Sequence, residues 1–413
     1  MTSQLRLASL VVLALWSTCL LQGTLGVGLH SRGSGQFRYN KTDVSREGKV
    51  LSLFNIVKFK NSACQSIDPI NGGGGGSSTR NGTCFTSDEC TKRGGTPAGK
   101  CAAGFGVCCI FFVSTSGGVV TQNCSYIRNP NFPKSYDENA QVSYTIQKCD
   151  PNVCSLRLDF ETFTITGTGN TVEIDTNVTP ALKGGVCKDT FTVSVNTGDK
   201  IPTICGQNTG QHIYIDIGTQ PSDTADIKFS FDGADTIRQW EIKVTQLFCN
   251  SPGHPTGTGC LQYHTGEVGR FTTFNFLPTN DNHLANQDYT ICIRQEPGFC
   301  CIEYSVCPDP FSFTLDIDDK SDFDTKCQSD DYIFIDGGQG FCANGNVPSA
   351  APNKFCGNML NPFNSGPNVP LCDCTAPFQV GIFTDDDVKE EGTENPNEKR
   401  SRGVCLNYRQ VPC

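Results

Sequence analysis

The chain has 413 residues, a net charge of −10 and 25 cysteines. Its acidic composition argues against nucleic acid or an anionic membrane surface as a partner, because both require clustered lysine and arginine. At about 100–200 residues per domain, the length predicts two or three domains.

The first 26 residues have the composition of a secretory signal peptide. Arg6 precedes the apolar run LASLVVLALW, and small residues follow at Thr24 and Gly26. Removal of this leader would take Cys19 with it, and we expect the remaining cysteines to form disulfides in an oxidising compartment. No second apolar run of about 18 residues follows, so the sequence predicts a secreted, extracellular protein without a membrane span or lipid anchor.

Residues 27–63 form the next segment, a polar arm followed by a short apolar stretch. The stretch KVLSLFNIVKF, residues 49–59, is rich in apolar and β-branched side chains. It is compatible with a strand or with a short amphipathic helix, because a run of this length does not distinguish the two.

The cysteines beyond the leader fall into three groups, of which the first marks a compact head. Six crowd into residues 64–109, six lie in 124–249 and twelve lie in 260–413. Each group has an even number and is able to close on itself. The two larger segments are expected to have apolar cores as well as disulfides, because their cysteines are more widely spaced.

From residue 110 onward, apolar and polar residues alternate at period two. Segments such as SLRLDFETFTI, TFTVSV, HIYIDI and DIKFSF are separated by clusters of glycine, asparagine, proline and aspartate. Many short strands with one buried face predict antiparallel β-sandwiches, so the expected fold class is all-β. Trp240 shares one strand face with Ile242 and Val244, and we expect it to be buried in a sandwich core.

An internal repeat divides this region into two copies, residues 110–249 and 260–413. Residues 238–249 have the sequence RQWEIKVTQLFC, and residues 402–413 have the sequence RGVCLNYRQVPC, with apolar residues at the same alternate positions. Upstream, CKDTFTV…ICG in the first copy corresponds to CQSDDYIFI…FCG in the second. Two matches in the same order predict two copies of one sandwich, the second enlarged by loops.

Both copies resemble CUB domains, which are extracellular β-sandwich modules. The segments that carry the resemblance are NCSYIRNPNFPKSYDENAQVSYTI in the first copy and CQSDDYIFIDGG, FQVGIFTDD and GVCLNY in the second. The resemblance implies jelly-roll sandwiches, each with a disulfide that encloses an aspartate-bearing strand and ends before glycine. In this chain those pairs are Cys187–Cys205 and Cys327–Cys356.

Other cysteines depart from the family pattern. The cysteine that the family places just before the aromatic-x-Ile strand is absent in the first copy, where Cys149 and Cys154 follow that strand instead. The sequence therefore leaves the partner of Cys124 open. The second copy has twelve cysteines where the family usually has four, and most of their pairings stay open as well.

The head, CFTSDECTKRGGTPAGKCAAGFGVCC, ends in two adjacent cysteines and resembles the clip domains of arthropod protease zymogens. That resemblance implies pairing of the first cysteine with the fifth, the second with the fourth and the third with the sixth. These pairs are Cys64–Cys108, Cys84–Cys101 and Cys90–Cys109. A disulfide-held knob with no protease association is the alternative. A cysteine-rich head before two CUB-like domains is also similar to the layout of secreted arthropod proteins.

No catalytic motif accompanies this architecture, so we expect a non-enzymatic protein. None of the five histidines is followed by glutamate, and neither a G-x-S-x-G elbow nor a G-D-S-G-G serine loop is present. Four N-x-[ST] sequons predict N-glycosylation of secreted chains. They lie at Asn40, Asn81, Asn123 and Asn177.

Acidic runs in the second copy suggest a calcium site, and no other cofactor is predicted. Calcium takes six to eight oxygen ligands, several of them carboxylates, from separate loops. Asp324, Asp331 and Asp385 stand at or near positions where the resemblance to CUB domains implies calcium ligands. Solvated loops are the alternative, because most charge runs are solvated. The first copy lacks the matching upstream acid, so no calcium is expected there.

Together these features predict a secreted binding protein whose CUB-like domains contact extracellular proteins or glycans. Loops on a disulfide-bonded β-scaffold present stable contact surfaces, although the choice of binding as the function also depends on family analogy. A catalytically inactive adaptor in an extracellular protease cascade and a structural matrix or cuticle protein are the alternatives.

Overall fold

A computed structural model describes the chain from residue 58 onward, with gaps. The described residues are 58–68, 79–168, 185–233, 238–249, 251, 255, 259–276, 282–315, 321–323, 327, 331–336, 342, 352–362, 367–386 and 401–413. The predicted leader, residues 1–26, and most of the segment 27–63 lie outside these ranges, as do Asn40, Asn177 and Asp324. No helix among the described residues is long and apolar enough to cross a bilayer.

Twenty-three strands and one α-helix form the secondary structure of the described ranges. The head contains β1 (Ala63–Ile67), β2 (Thr79–Phe85), α1 (Ser87–Lys92), β3 (Thr96–Cys101) and the first part of β4 (Gly106–Val113). The first sandwich contains β5 (Gly118–Val120), β6 (Ser125–Arg128), β7 (Val142–Gln147), β8 (Val153–Thr164), β9 (Thr190–Val195), β10 (His212–Asp216), β11 (Thr224–Ser230) and β12 (Gln239–Phe248). The second contains β13 (Cys260–His264), β14 (Val268–Thr272), β15 (Asp288–Ile293), β16 (Phe299–Val306), β17 (Phe313–Thr314), β18 (Ser321–Phe323), β19 (Tyr332–Ile335), β20 (Lys354–Gly357), β21 (Leu371–Asp373), β22 (Phe378–Phe383) and β23 (Gly403–Pro412).

The head belongs to a compact unit that ends at Ile110. In it β4 pairs with β2 on one side and β3 on the other, and β1 extends the sheet beyond β2. Helix α1 begins after Thr86, whose side chain accepts the backbone N–H of Glu89 and so satisfies one of the free donors of the first turn. Three disulfides tie these elements together, and they are the three clip-type pairs Cys64–Cys108, Cys84–Cys101 and Cys90–Cys109.

The second unit, Phe111–Cys413, contains both predicted sandwiches. In the first sandwich one sheet has the order β6-β12-β8-β10 and the other has the order β5-β7-β11-β9. Trp240 on β12 is fully buried, and its ring stacks on that of Phe229 on β11 with 4.2 Å between centroids. Because β11 and β12 belong to different sheets, this stack joins the two layers, and the predicted burial of Trp240 is confirmed.

The second sandwich repeats the plan with longer connections. Its sheets have the orders β13-β15-β22-β19-β20-β18 and β14-β23-β16-β21, and β17 adds to β23. Strand β13 runs parallel to β15, whereas the other strand pairs of this sandwich are antiparallel. The prediction of an all-β fold with two sandwiches and a small disulfide-rich head is confirmed.

Disulfides cross-link both sandwiches. The structure pairs Cys187 with Cys205 and Cys327 with Cys356, as the sequence predicts. The other pairs in which both cysteines are described are Cys154–Cys249, Cys260–Cys292, Cys300–Cys413, Cys301–Cys374, Cys307–Cys405 and Cys342–Cys372. Cys124 is also disulfide-bonded. Cys149 is a free, exposed thiol, so the even cysteine count of residues 124–249 does not lead to complete pairing.

Candidate functional site

Two of the three predicted calcium ligands lie at one corner of the second sandwich. Asp331 directly precedes β19, and Asp385 follows β22 by two residues. These strands are antiparallel neighbours with Tyr332 opposite Phe383, so the start of one strand meets the end of the other. The backbone N–H of Asp385 donates to Asp331 Oδ1 at 2.8 Å. The third predicted ligand, Asp324, is outside the described residues.

The same corner contains His283, which sequence reasoning did not select. His283 Nε2 lies 3.0 Å from Asp331 Oδ2, and both side chains are buried. The backbone N–H of His283 donates to Ser401 O at 2.8 Å, which fixes the segment before β15 against the segment before β23. No motif marks this histidine, because its approach to Asp331 depends on how distant segments pack.

The described residues of this corner do not by themselves supply an oxygen cage for calcium, and the third predicted ligand, Asp324, lies outside them. Calcium requires an oxygen cage, and imidazole nitrogen is a ligand for softer metals. The two carboxylate oxygens of Asp331 instead face nitrogen atoms, the Nε2 of His283 and the backbone N–H of Asp385. In this arrangement the histidine stands at the carboxylate where a cation would bind.

The equivalent aspartate of the first sandwich is held by an arginine. Asp189 directly precedes β9, as Asp331 precedes β19. Arg238 donates from Nε to Asp189 Oδ2 at 2.7 Å and from Nη2 to Asp189 Oδ1 at 2.9 Å. The backbone N–H groups of Thr166 and Asp232 complete the site at 2.8 and 3.0 Å. This bidentate pair is fully buried.

Electrostatics at Asp189 follow from these contacts. Burial alone would raise the pKa of Asp189, but the hydrogen bonds from Arg238 and from Thr166 outweigh it and hold the pKa below its usual value. The guanidinium also donates from Nη2 to Gly233 O at 2.9 Å. The Arg238 guanidinium, which is surrounded by oxygen atoms, therefore lies beside Asp189 in the first copy. No calcium was expected in that copy.

The sequence contained a signal for this arginine, but an incomplete one. Arg238 and Arg402 both open the repeated motif, so the repeat predicts similar roles for them. Arg402 instead packs over the ring of Phe276 at 4.1 Å and donates to Pro310 O. Two residues at the same position of the repeat therefore have different partners, which no pattern within the motif distinguishes.

An exposed aromatic pair lies beside the corner of the second sandwich. The rings of Tyr332 and Phe383 stack with 4.9 Å between centroids, and Lys354 Nζ lies 4.4 Å from the centre of the Tyr332 ring. Asp288 is the partner of Phe383 on β15. Ile333, which follows Tyr332 on β19, is buried. Because side chains alternate along a strand, Tyr332 points outward. We call Tyr332, Phe383, Lys354 and Asp288 the aromatic surface.

Two predicted glycosylation sites lie in the described ranges. Asn81 is partly exposed, and its Oδ1 accepts a hydrogen bond from Gln65 Nε2 at 3.1 Å. The amide of Asn123 is bound to the backbone of Gln246, with N–H donation to Asn123 Oδ1 at 2.8 Å and donation from Asn123 Nδ2 to the carbonyl at 3.0 Å. Attachment of a glycan at Asn123 would therefore compete with a contact to β12, whereas Asn81 stays accessible.

Residues 257–411 match the family model of the animal CUB domain. The chain contains a CUB domain. The match spans the second sandwich, whose two sheets and Cys327–Cys356 disulfide are described above. It accounts for the sequence pattern of that sandwich and supports a role in extracellular protein interactions.

Solved CUB structures are among the neighbours of this fold. The CUB1-EGF-CUB2 domains of rat MASP-1 have 17% identity and a TM-score of 0.24, covering 72% of this chain and 99% of that one. The MASP-1 CUB2 domain bound to Ca²⁺ has 24% identity and a TM-score of 0.23, covering 32% and 98%. The human MASP-1/3 CUB1-EGF-CUB2 domain has 15% identity and a TM-score of 0.22, covering 70% and 100%. These scores are too low to support an argument about function. A search of curated proteins finds no significant match.

Proposed function

We propose that the chain is a secreted, non-enzymatic protein that binds extracellular proteins through its second sandwich. The observation that carries the proposal is the aromatic surface on a domain that matches the animal CUB family. Partly exposed aromatic side chains dominate binding energies at protein interfaces. Eleven disulfides join described cysteines, which is typical of extracellular proteins.

The stacking of the aromatic pair favours a protein partner over a glycan. Sugar rings pack against exposed faces of aromatic rings. Tyr332 has Phe383 stacked on it at 22° between ring planes, and Lys354 lies over the same ring. The pair therefore offers less open ring face to a sugar, while its apolar edges and flanking charges suit a protein surface.

The test is affinity capture from the source's extracellular fluid with the full chain, followed by mass spectrometry. Phe383→Ser should lose the partners that the unmodified protein captures, because the substitution removes the exposed half of the stack. Val268→Ser is the matched control, since Val268 is 66% exposed on β14 in the other sheet of the same sandwich.

Retention of all partners by Phe383→Ser would refute the aromatic surface as the binding site. Equal losses in both variants would do the same, because Val268 is not part of that surface. Binding that appears only on a glycan array, and disappears in Phe383→Ser, would favour glycan recognition in its place.

Calcium is not required by this proposal. The sequence predicts an ion at Asp324, Asp331 and Asp385, and an ion there would first have to displace His283 from Asp331. Calcium at this corner therefore stays a prediction of the sequence.

The head supports a second candidate function, that of a catalytically inactive adaptor in a protease cascade. Its disulfides join the first cysteine with the fifth, the second with the fourth and the third with the sixth, which is the linkage implied by the resemblance to clip domains. Phe105 is 62% exposed between β3 and β4 and is a contact residue for such recruitment. Added protein should accelerate zymogen activation in the extracellular fluid, Phe105→Ser should lose that effect, and Phe383→Ser should keep it. An unchanged activation rate with the unmodified protein would exclude the adaptor.

A further inference from the structure

The two sandwiches meet where β10 of the first lies against β13 of the second, and we call this contact the joint. Two histidines face each other there. The ring centroids of His212 and His264 lie 5.1 Å apart. His212 is buried, and the Nε2 atom of His264 is buried without a hydrogen-bond partner. Enclosed imidazoles at a contact surface respond to pH, because histidine gains its charge near neutral pH.

His212 also contacts the backbone of the opposite sandwich. Its Nε2 atom lies 3.1 Å from Tyr263 N, which donates to it, and 3.0 Å from Tyr263 O. The ring of Tyr214 packs edge-on against that of His212, with 5.5 Å between centroids. Protonation of Nε2 would remove the acceptor that the N–H of Tyr263 uses across the joint and would turn that nitrogen into a donor to Tyr263 O. The backbone contact is therefore exchanged, and the cost of protonation comes from burial of the charge and from Arg157.

Two arginine–carboxylate pairs lie around the two rings. On β8, Arg157 binds Asp159 at 2.7 Å and the Tyr214 hydroxyl at 2.9 Å. After β15, Arg294 binds Glu296 at 2.7 Å. The carboxylates of Asp159 and Glu296 are thus each paired with an arginine, and new positive charge on the rings would face Arg157.

Uncharged groups make other contacts of the joint. The backbone N–H of Asn275 donates to Asn208 Oδ1 at 2.8 Å, and Gln262 Nε2 donates to Gln211 Oε1 at 3.1 Å. Tyr408 of β23 also approaches His264, with 6.5 Å between ring centroids. Charged residues border the joint at an open cleft of about 200 Å³, where Asp199, Lys200, Asp216 and Asp288 are part of the lining.

Burial and charge act in the same direction on both histidines. Burial, with Arg157 and then His264 as the next causes, lowers the pKa of His212 well below its ordinary value. Burial and then Arg157 lower the pKa of His264 to about 4. Both rings are therefore neutral in the closed joint at neutral pH.

We propose that the joint is an acid-sensitive contact that is closed at neutral pH and opens when His212 and His264 take up protons. Both are bases whose pKa falls on closure, so the open state binds more protons. The contact has its full strength above about pH 6.5, the ordinary histidine value, and weakens as pH falls toward the closed-state value. For His264 alone, these values favour opening ~30-fold at pH 5. The inference is independent of the aromatic surface.

The test uses hydrogen exchange and small-angle X-ray scattering of the full chain between pH 7.4 and pH 4. The N–H of Tyr263 bonds to His212, and the N–H of Ala285 donates to Gly185 O at 2.8 Å, so both report on contact between the sandwiches. We expect both to lose protection as pH falls, after correction for intrinsic rates, while Ile242 in the core of β12 stays protected. The radius of gyration should increase in parallel.

Two variants separate histidine protonation from other effects of acid. The double variant His212→Gln and His264→Gln should remain closed across the range, and Tyr214→Phe, which removes a hydroxyl without removing a titrating ring, should keep the response. Unchanged protection of Tyr263 in the unmodified protein overturns the proposal. If the double variant is open at every pH, the test depends on the midpoint of the pH-dependent loss of protection in the unmodified protein. A midpoint outside about pH 4–6.5 would exclude the two histidines as the titrating groups.

Discussion

Replacement of Arg238 by methionine tests how the first sandwich holds its buried aspartate. The substitution removes two charge-assisted hydrogen bonds to Asp189 and leaves that carboxylate with the backbone N–H groups of Thr166 and Asp232. A charged hydrogen bond contributes about 1.5–3 kcal/mol, so two give roughly 3–6 kcal/mol. Loss of one partner of a buried pair costs about 3–5 kcal/mol, in agreement with that range. We therefore expect a loss of about 4 kcal/mol in the free energy of unfolding.

Urea unfolding followed by tryptophan fluorescence measures this loss. Trp240 is the only tryptophan after residue 26 and is buried in the first sandwich, so its emission reports unfolding of that sandwich. The pKa of Asp189 is lowered in the folded state. Its contribution is therefore complete above the ordinary value of about 4 and is lost only as pH falls further, so the measurement is made at pH 7.

A double-mutant cycle with Asp189→Asn separates the ion pair from loss of packing. The double variant should recover a large part of the stability lost in Arg238→Met, because no unpaired charge remains buried. The control is Lys228→Met on β11 of the same sandwich, where the side chain is exposed and a change of about 0.5 kcal/mol or less is expected. A loss below about 1 kcal/mol for Arg238→Met, or strictly additive effects in the cycle, would refute the reasoning.

Three further predictions concern the core, the cysteines and calcium. Trp240→Ala should cost about 3–5 kcal/mol by circular dichroism in urea, and emission of the unmodified protein like that of free indole would contradict burial. Non-reducing peptide maps should show Cys187–Cys205 and Cys327–Cys356, whose separations of 18 and 29 residues each contribute about 3–4 kcal/mol. Desolvation raises the pKa of Cys149 to about 11, so this free thiol should react with iodoacetamide in the native protein at alkaline pH and slowly at pH 7. Another partner for Cys187 would refute the repeat. The sequence predicts a calcium-specific heat in calorimetric titration of the full chain with calcium against magnesium, with displacement of His283 from Asp331, and absence of that heat would exclude calcium at this corner.

Local periodicity was sufficient for the fold class. Alternation at period two identified the strands and placed Trp240 on a buried face, because side chains of a strand point to opposite sides in turn. The resemblance of both copies to CUB domains implied Cys187–Cys205 and Cys327–Cys356, and each pair encloses a strand that the repeat aligns. Cys149 was not predicted to be free, because an even count does not specify which thiols approach each other.

The candidate site was predicted only in part. The sequence selected Asp324, Asp331 and Asp385, because they stand at or near positions where the resemblance to CUB domains implies calcium ligands. It did not select His283, and it assigned no role to Arg238 or Arg402, which stand at the same position of the repeat but have different partners. The aromatic surface was also missed. The outward side chains of YIFI form part of that surface only when β22 lies beside β19, and the sequence does not show that pairing.

The sequence by itself determined the class of fold, the two-copy repeat, the cysteine-rich head and the disulfides that enclose a strand. The first three follow from neighbours in sequence or from spacings that repeat along the chain, whereas the disulfides were implied by the resemblance to CUB domains. Only the tertiary structure decided which side chains meet at the functional positions. Arg238 and Asp189 are 49 residues apart, and His212 and Tyr263 are 51 apart. Such contacts depend on strand register and on how one sheet or sandwich packs against another, and an alternating pattern is equally compatible with many registers.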